Sequence, residues 1–262
     1  STPSNSSAAS DVYKRQIDMI KGLSIMTLFF LHFENGFIDD TYNYFLVRSP
    51  AFYMVVGWLW GQSSNKRTIR QHWEKRKRSL VIPYFWFSLI FLGFDLTMIF
   101  LDLFEPTIFY RDVYKTICLR GIGTLWFLPA LLGGEILFIY FRDKGKLLLI
   151  SFGIVCFCIV CAYYLWSHSE IQTQTMHDII NAPFKVVEDV SNAFIYICIA
   201  YYISKYFGRS LIGQKKSHLL VQGILLLLID FYIMNFTTYA FPISNLFFIF
   251  GNMLSGLSLI HI

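Results

Sequence analysis

This chain is poor in charge. Only 15% of its 262 residues are Asp, Glu, Lys or Arg, against about 25% in an ordinary soluble domain. Set beside the 55% that are apolar, that deficit excludes a soluble globular fold. The alternating polar and apolar residues of barrel strands are absent as well, which excludes a transmembrane barrel. No internal repeat is evident, and no polar domain separates the apolar runs. Cysteine is sparse: Cys118, Cys156, Cys158, Cys161 and Cys198 lie in or near apolar segments. The run "CFCIVC" brings no His or carboxylate at ligand spacing. A free cysteine behaves as a small buried hydrophobe, so no metal is expected.

The two ends read as foreign to the rest. "DVYKRQ" (Asp11 to Gln16) can be encoded by GAT GTG TAT AAG AGA CAG, whose reverse complement translates to "LSLIHI", the last six residues. With "SSAAS" upstream, these ends resemble the adapter that a transposase inserts into sequencing libraries. Residues 1–16 and 257–262 are therefore set aside from fold reasoning. Residues 17–256 are read as one truncated membrane-embedded domain.

What remains is a series of apolar runs, several reaching the roughly 20 residues that span a bilayer core. Eight are read, at about 17–33, 47–61, 80–101, 122–141, 147–166, 190–207, 219–236 and 242–256. In lipid each backbone group must pair within its own segment, so the spans are helices and the fold is an all-α transmembrane bundle. Lys and Arg set its orientation. With the first span starting inside, loops 62–79, 142–146 and 204–218 carry fourteen Lys/Arg, and the outer loops carry five. The net positive charge of +5 is thus a property of the inner face and not a nucleic-acid footprint.

The first span, "IDMIKGLSIMTLFFLHF", holds Asp18, Lys21 and His32. At about 100° per residue, the eleven positions from Lys21 to His32 come within about 20° of three full turns. Asp18 falls about 40° to the other side. All three share one face, with His32 about 16 Å above Lys21. Ionisable groups in a span normally face protein or a wet cavity. They can equally be boundary anchors, with Lys21 snorkelling.

The run "NKRTIRQHWEKRKRSLVIPYF" is the densest in basic residues. It suits anchoring beside anionic lipid. It also suits a polyphosphate group, with Arg70, Arg76 and Arg78 as bidentate donors. Pro83 is expected just inside the helix that follows. In "RGIGTLWFLPALLGGEILF", Glu135 lies inside the fourth span, where Pro129 and Gly133–Gly134 are expected to loosen the helix. A carboxylate at such a depth marks a functional site or pairs with an Arg, Lys or Ser nearby. Asp95 and Asp230 pose the same choice. The outer loop 167–189, with His168 and His177, is read as a solvated lid or acceptor-side surface.

Taken together these segments resemble the acyltransferase-3 family of integral-membrane acyltransferases. "IDMIKGLSIMTLFFLH" is similar to the family's first helix, with Lys21 where many members have Arg. "RKRSLVIPYFWF" resembles its basic run followed by Pro and an aromatic, and "TLWFLPALLGGEI" its Trp-Phe-Leu-Pro-Ala-Leu segment with a later acid. "SPAFYMVVGWLWGQS" follows the second helix but departs from the usual Phe-Phe-x-x-Ser-Gly.

The resemblance implies about ten spans in the intact protein and no bound cofactor. The donor it implies is acyl-CoA, most commonly acetyl-CoA, and the acceptor a hydroxyl on a surface glycan or lipid-linked sugar. The membrane implied is the bacterial inner membrane. It implies His32 as general base, with Glu135 as a further catalytic acid; either Glu135 or, ranked lower, Glu34 could orient His32. It also implies Asp18, Lys21, Arg70, Arg76 and Arg78 on the donor's route, and Trp126 on the acceptor side. Two rival readings stand beside it. One is a transporter or flippase for a lipid-linked glycan, which would more often show inverted repeats. The other is a structural or sensory membrane protein without chemistry.

Overall fold

The computed structural model describes residues 49–63, 67–167 and 174–212, together with position 22. Among them every regular element is a helix: α1 (Ser49–Gln62), α2 (Ile69–Arg76), α3 (Ile82–Phe100), α4 (Pro106–Ile117), α5 (Phe127–Lys144), α6 (Lys146–Ser167) and α7 (Gln174–Ile212). Four stretches are long and apolar enough to cross a membrane: Ile69–Phe100, Gly123–Lys144, Lys146–Ser167 and Asn181–Tyr206. These correspond to the spans read at 80–101, 122–141, 147–166 and 190–207. The span read at 47–61 is helical over the fourteen residues of α1. The spans read at 17–33, 219–236 and 242–256 lie outside the described residues.

The described residues fall into two compact units, one holding α1 with α7 from Ile199 onward and the other running from residue 67 to Cys198. In the first, α1 crosses the end of α7 at two small residues. A Cβ on Gly61 would stand 2.6 Å from Ser204 Cβ. The Ser204 hydroxyl donates to the Trp58 carbonyl at 2.9 Å and accepts from Gln62 Nε2 at 3.1 Å. Close approach of this kind is how membrane helices associate when no hydrophobic force separates helix from lipid.

In the second unit the basic run departs from its expected form as a loop. Thr68 caps α2, its hydroxyl accepting from the Gln71 N–H while the Gln71 side chain accepts from the Thr68 N–H. That reciprocal box starts a helix in polar sequence that hydropathy alone reads as connection. The helix then runs on into α3 through a π turn, Lys77–Val81. Pro83 supplies the reason: it has no N–H for the Ser79 carbonyl, and its ring crowds that carbonyl. The backbone widens instead, and the Ile82 N–H reaches back to the Lys77 carbonyl.

α3 buries Tyr84, Ser88 and Asp95 on one stripe and leaves Phe85, Trp86, Leu89 and Ile90 exposed. The Tyr84 hydroxyl donates to the Thr116 carbonyl of α4 at 2.9 Å. Helix α4 itself, begun by Pro106 at its first turn, lies in a segment read as connection.

α5 runs unbroken from Phe127 to Lys144, so Pro129 and Gly133–Gly134 do not loosen it. Pro129 sits in the first turn, where no helical N–H is lost. The glycines are contact points with α7. A Cβ on Gly133 would stand 2.8 Å from Val190 Cγ2, and one on Gly134 would stand 2.8 Å from Ala193 Cβ and 3.0 Å from the Phe194 N. Phe141, Phe152 and Phe194 close the α5–α6–α7 contact, with Phe141 stacked on Phe152 at 3.9 Å between centroids. The expected outer loop 167–189 is likewise helical from Gln174. Its Glu188 and Asp189 are buried, which a solvated lid would not do.

Candidate functional site

Three ionisable side chains meet where α2 passes α5. Glu135 is fully buried at 0% exposure. One of its oxygens, Oε2, faces His72 Nε2 at 3.0 Å. The other, Oε1, accepts from Arg76 Nη2. His72 and Arg76 stand four residues apart and so share one face of α2. His72 is as buried as the acid, whereas Arg76 keeps about a quarter of its side chain exposed. The buried Nε–H of Arg76 has no partner among the described residues. A buried carboxylate costs several kcal/mol unless charge and hydrogen bonds compensate it, and here both oxygens are matched. Arg70 and Arg78 are exposed on either side of this cluster. A second tie holds α5 to the start of α2, where Arg142 Nη2 donates to the Arg67 carbonyl at 3.4 Å.

A second polar cluster gathers around the first turns of the Asn181–Tyr206 span. Lys185 pairs with Glu188 and, at 3.2 Å, with Asp189. Arg120 donates to Asp189 at 3.4 Å and lies over the Trp126 ring, 5.8 Å from its centroid. The Lys185 ammonium lies 5.2 Å from the centre of the Tyr163 ring, and Asn192 donates to Glu188. Arg120 is carried on a tight turn in which Leu119, Gly121 and Gly123 all have positive φ. A Cβ at Gly121 would fall 2.6 Å from the Trp126 N, so glycine is required there. Trp126 is half-buried beneath this guanidinium.

Two cations, two carboxylates and two aromatic faces thus satisfy one another. The profile of an acyltransferase domain, that of the acyltransferase-3 family, matches residues 14–262. The chain belongs to the acyltransferase-3 family. The match takes in residues at both ends that were read as adapter. No curated protein and no solved structure matches the chain. With four apolar helices of spanning length, this acyltransferase is an integral membrane protein.

Of the residues singled out in the sequence of the acyltransferase, Asp18, Lys21, His32, His168 and Asp230 lie outside the described residues. Glu135 is engaged by His72 and Arg76. Arg70 and Arg76 lie on α2 and Arg78 in the π turn that continues it, and Trp126 lies under Arg120. His72 was missed. Its signal was the four-residue spacing to Arg76 within "RQHWEKR", which the density of basic residues masks. Lys185, Glu188 and Asp189 were missed as a group because the segment was read as solvated. Cys156 is buried and Cys158 is exposed, so the cysteines of "CFCIVC" point in different directions.

Proposed function

We propose that this acyltransferase moves an acyl group, acetyl as the simplest case, from cytoplasmic acyl-CoA to a hydroxyl of a surface glycan or lipid-linked sugar. The membrane is the bacterial inner membrane. Family membership supports acyl transfer. The observation that carries the donor's identity is the basic helix: Arg70 and Lys75 are exposed on α2, which Thr68 caps and Arg76 ends, and Lys77 and Arg78 are exposed on the π turn that continues it. Guanidinium groups in such an array suit the phosphates of CoA. The same segment lies on the Lys/Arg-rich side of the chain, which is the cytoplasmic side.

In this reading His32 is the general base. Its neutral imidazole takes the proton of the acceptor hydroxyl as that oxygen attacks the thioester carbonyl. The carbon–sulfur bond breaks, the CoA sulfur leaves and takes up the proton, and an ester remains on the sugar. Asp18 and Lys21 line the donor's route below His32, and Trp126 faces the acceptor side.

The test uses membranes that hold the whole gene product, supplied with labelled acetyl-CoA and glycan acceptor. Thioester consumption with label on the glycan is the expected result. A transporter or a structural protein would leave the thioester intact, and that outcome refutes the proposal. His32→Gln then isolates the base. The amide keeps hydrogen bonding but cannot take up a proton, so turnover per inserted protein is expected to fall by about 10²–10⁴-fold. Near-normal turnover would reduce His32 to a boundary anchor.

A further inference from the structure

The donor reading leaves Glu135 without a task, yet it is the most enclosed acid among the described residues, with both oxygens engaged. Its environment is built from two sides. On one, Gly133 and Gly134 let α7 approach so closely that a Cβ at either position would collide with Val190 or with the backbone at Phe194. The carboxylate one residue further on is therefore fixed in depth and azimuth. On the other side the carboxylate takes the His72 ring and one arm of Arg76. Arg76 is also the last residue of α2, and the π turn begins at Lys77. A π turn holds one residue more than an α turn, and such turns occur frequently at functional sites. Every side chain after it is rotated relative to those before it, so where the turn begins decides where Lys77 and Arg78 point.

We propose that Glu135 is a positioning residue of the donor site that acts through Arg76. By holding Nη2 it fixes the direction of the partly exposed Arg76 side chain, and it pins the start of the turn that presents Lys77 and Arg78. This rests on the acyl-CoA reading above. A plain helix-to-helix clamp would use the same contacts, but it makes a different prediction. Loss of a clamp lowers the amount of folded protein and leaves the surviving molecules kinetically normal. Loss of a positioning residue changes the apparent affinity for the donor in molecules that are folded.

The experiment measures KM and kcat for labelled acetyl-CoA in membranes holding the full chain, normalised to inserted protein, for Glu135→Gln, Glu135→Asp, Arg76→Gln and the double variant Arg76→Gln/Glu135→Gln. Glu135→Gln and Arg76→Gln are each expected to raise KM about tenfold, the weight of one charge-assisted contact, with kcat within about threefold of wild type. The double variant is expected to be no worse than the worse single variant, because both act on one interaction. A rise in the double of about a hundredfold, the product of the singles, would show independent action and overturn the proposal. So would an unchanged KM, or a loss confined to kcat. Where Glu135→Gln fails to insert, Glu135→Asp decides. It keeps the charge but draws it back from Arg76, so an intermediate KM supports positioning and a wild-type KM refutes it. Wild-type membranes that consume no acetyl-CoA would refute the acyl-CoA reading itself. Active wild type with unaltered variants would refute this inference alone.

Discussion

Replacing Gly134 with Ala adds one methyl group to α5, and the structure says where it must go. Its Cβ would stand 2.8 Å from Ala193 Cβ and 3.0 Å from the Phe194 N. The second of these is backbone and cannot rotate away. The added Cβ would have to move from 2.8 Å to at least the 3.4 Å of ordinary contact with Ala193, so α5 and α7 must part to admit it. Overpacking against a fixed neighbour costs about 1–3 kcal/mol. The gain in helix propensity, about 0.5–1 kcal/mol for Gly to Ala, offsets part of it. A net loss centred on about 1 kcal/mol and no more than about 2.5 kcal/mol is expected, at about 2–4 °C in melting temperature for each kcal/mol in a chain of this size. Gly93→Ala is the control. No atom lies within 4 Å of its added Cβ, so only the propensity term acts and the sign reverses, to about 0.5–1 kcal/mol of stabilisation. The assay is the midpoint of thermal unfolding of the detergent-solubilised proteins, followed by loss of the monodisperse peak. Gly134→Ala as stable as wild type, or Gly93→Ala destabilised by as much, would refute the contact as the reason for the glycine pair.

Two further outcomes are expected. Lys185→Met keeps the apolar stem but leaves Glu188 and Asp189, both buried, with one cation fewer. It should cost about 2–4 kcal/mol by the same thermal assay, since breaking a buried ion pair leaves the partner charge uncompensated. Lys185→Arg should restore most of the loss, and a neutral Lys185→Met would place the cluster in solvent instead. For topology, single cysteines at positions Ser64 and Thr173 in a cysteine-free background are expected to meet an impermeant thiol reagent from opposite sides, with only position 173 reached from outside. The motive is the fourteen-to-five division of Lys and Arg, and labelling of position 64 alone would invert the topology.

The four spanning helices were legible because lipid demands apolar length and little else. Their ends were not, because the demand stops where the membrane stops. Ile69–Arg76 is helical through a polar capping box, which leaves no trace in hydropathy. α4 is too polar to read as a span, and its register comes from Pro106 at its start and from Tyr84 reaching Thr116. Glu135 was legible as a site because an acid in a span demands an explanation. Its partners were not, since His72 stands 63 residues away in sequence inside a run whose charge density drew attention to its arginines. Gly133–Gly134 was misread for a related reason. Glycine weakens an isolated helix, and only the packed structure shows α7 filling the space that a side chain would need.

That misreading bears on how the parts of the second unit depend on one another. Helices in lipid gain no hydrophobic stabilisation from meeting each other, so α5 must be held by close packing and by polar contacts. It uses both within three consecutive residues: Gly133 against Val190, Gly134 against Ala193 and Phe194, and Glu135 against His72 and Arg76. On α7, the residue before Val190 is Asp189, which takes Arg120 and Lys185. The Arg120–Lys185–Asp189 cluster and the buried His72–Glu135–Arg76 group are therefore joined by a short run of packed backbone, Asp189–Val190 against Gly133–Glu135. Opening the glycine contact is expected to draw Glu135 from Arg76 or Asp189 from Arg120, because both carboxylates sit on short stems beside the packed backbone. Gly134→Ala should then raise the KM for acetyl-CoA as well as lower the melting temperature, and Gly93→Ala should do neither. A variant that loses stability with an unaltered KM would show that α5 can shift while Glu135 keeps hold of Arg76, and the two clusters would then be separable.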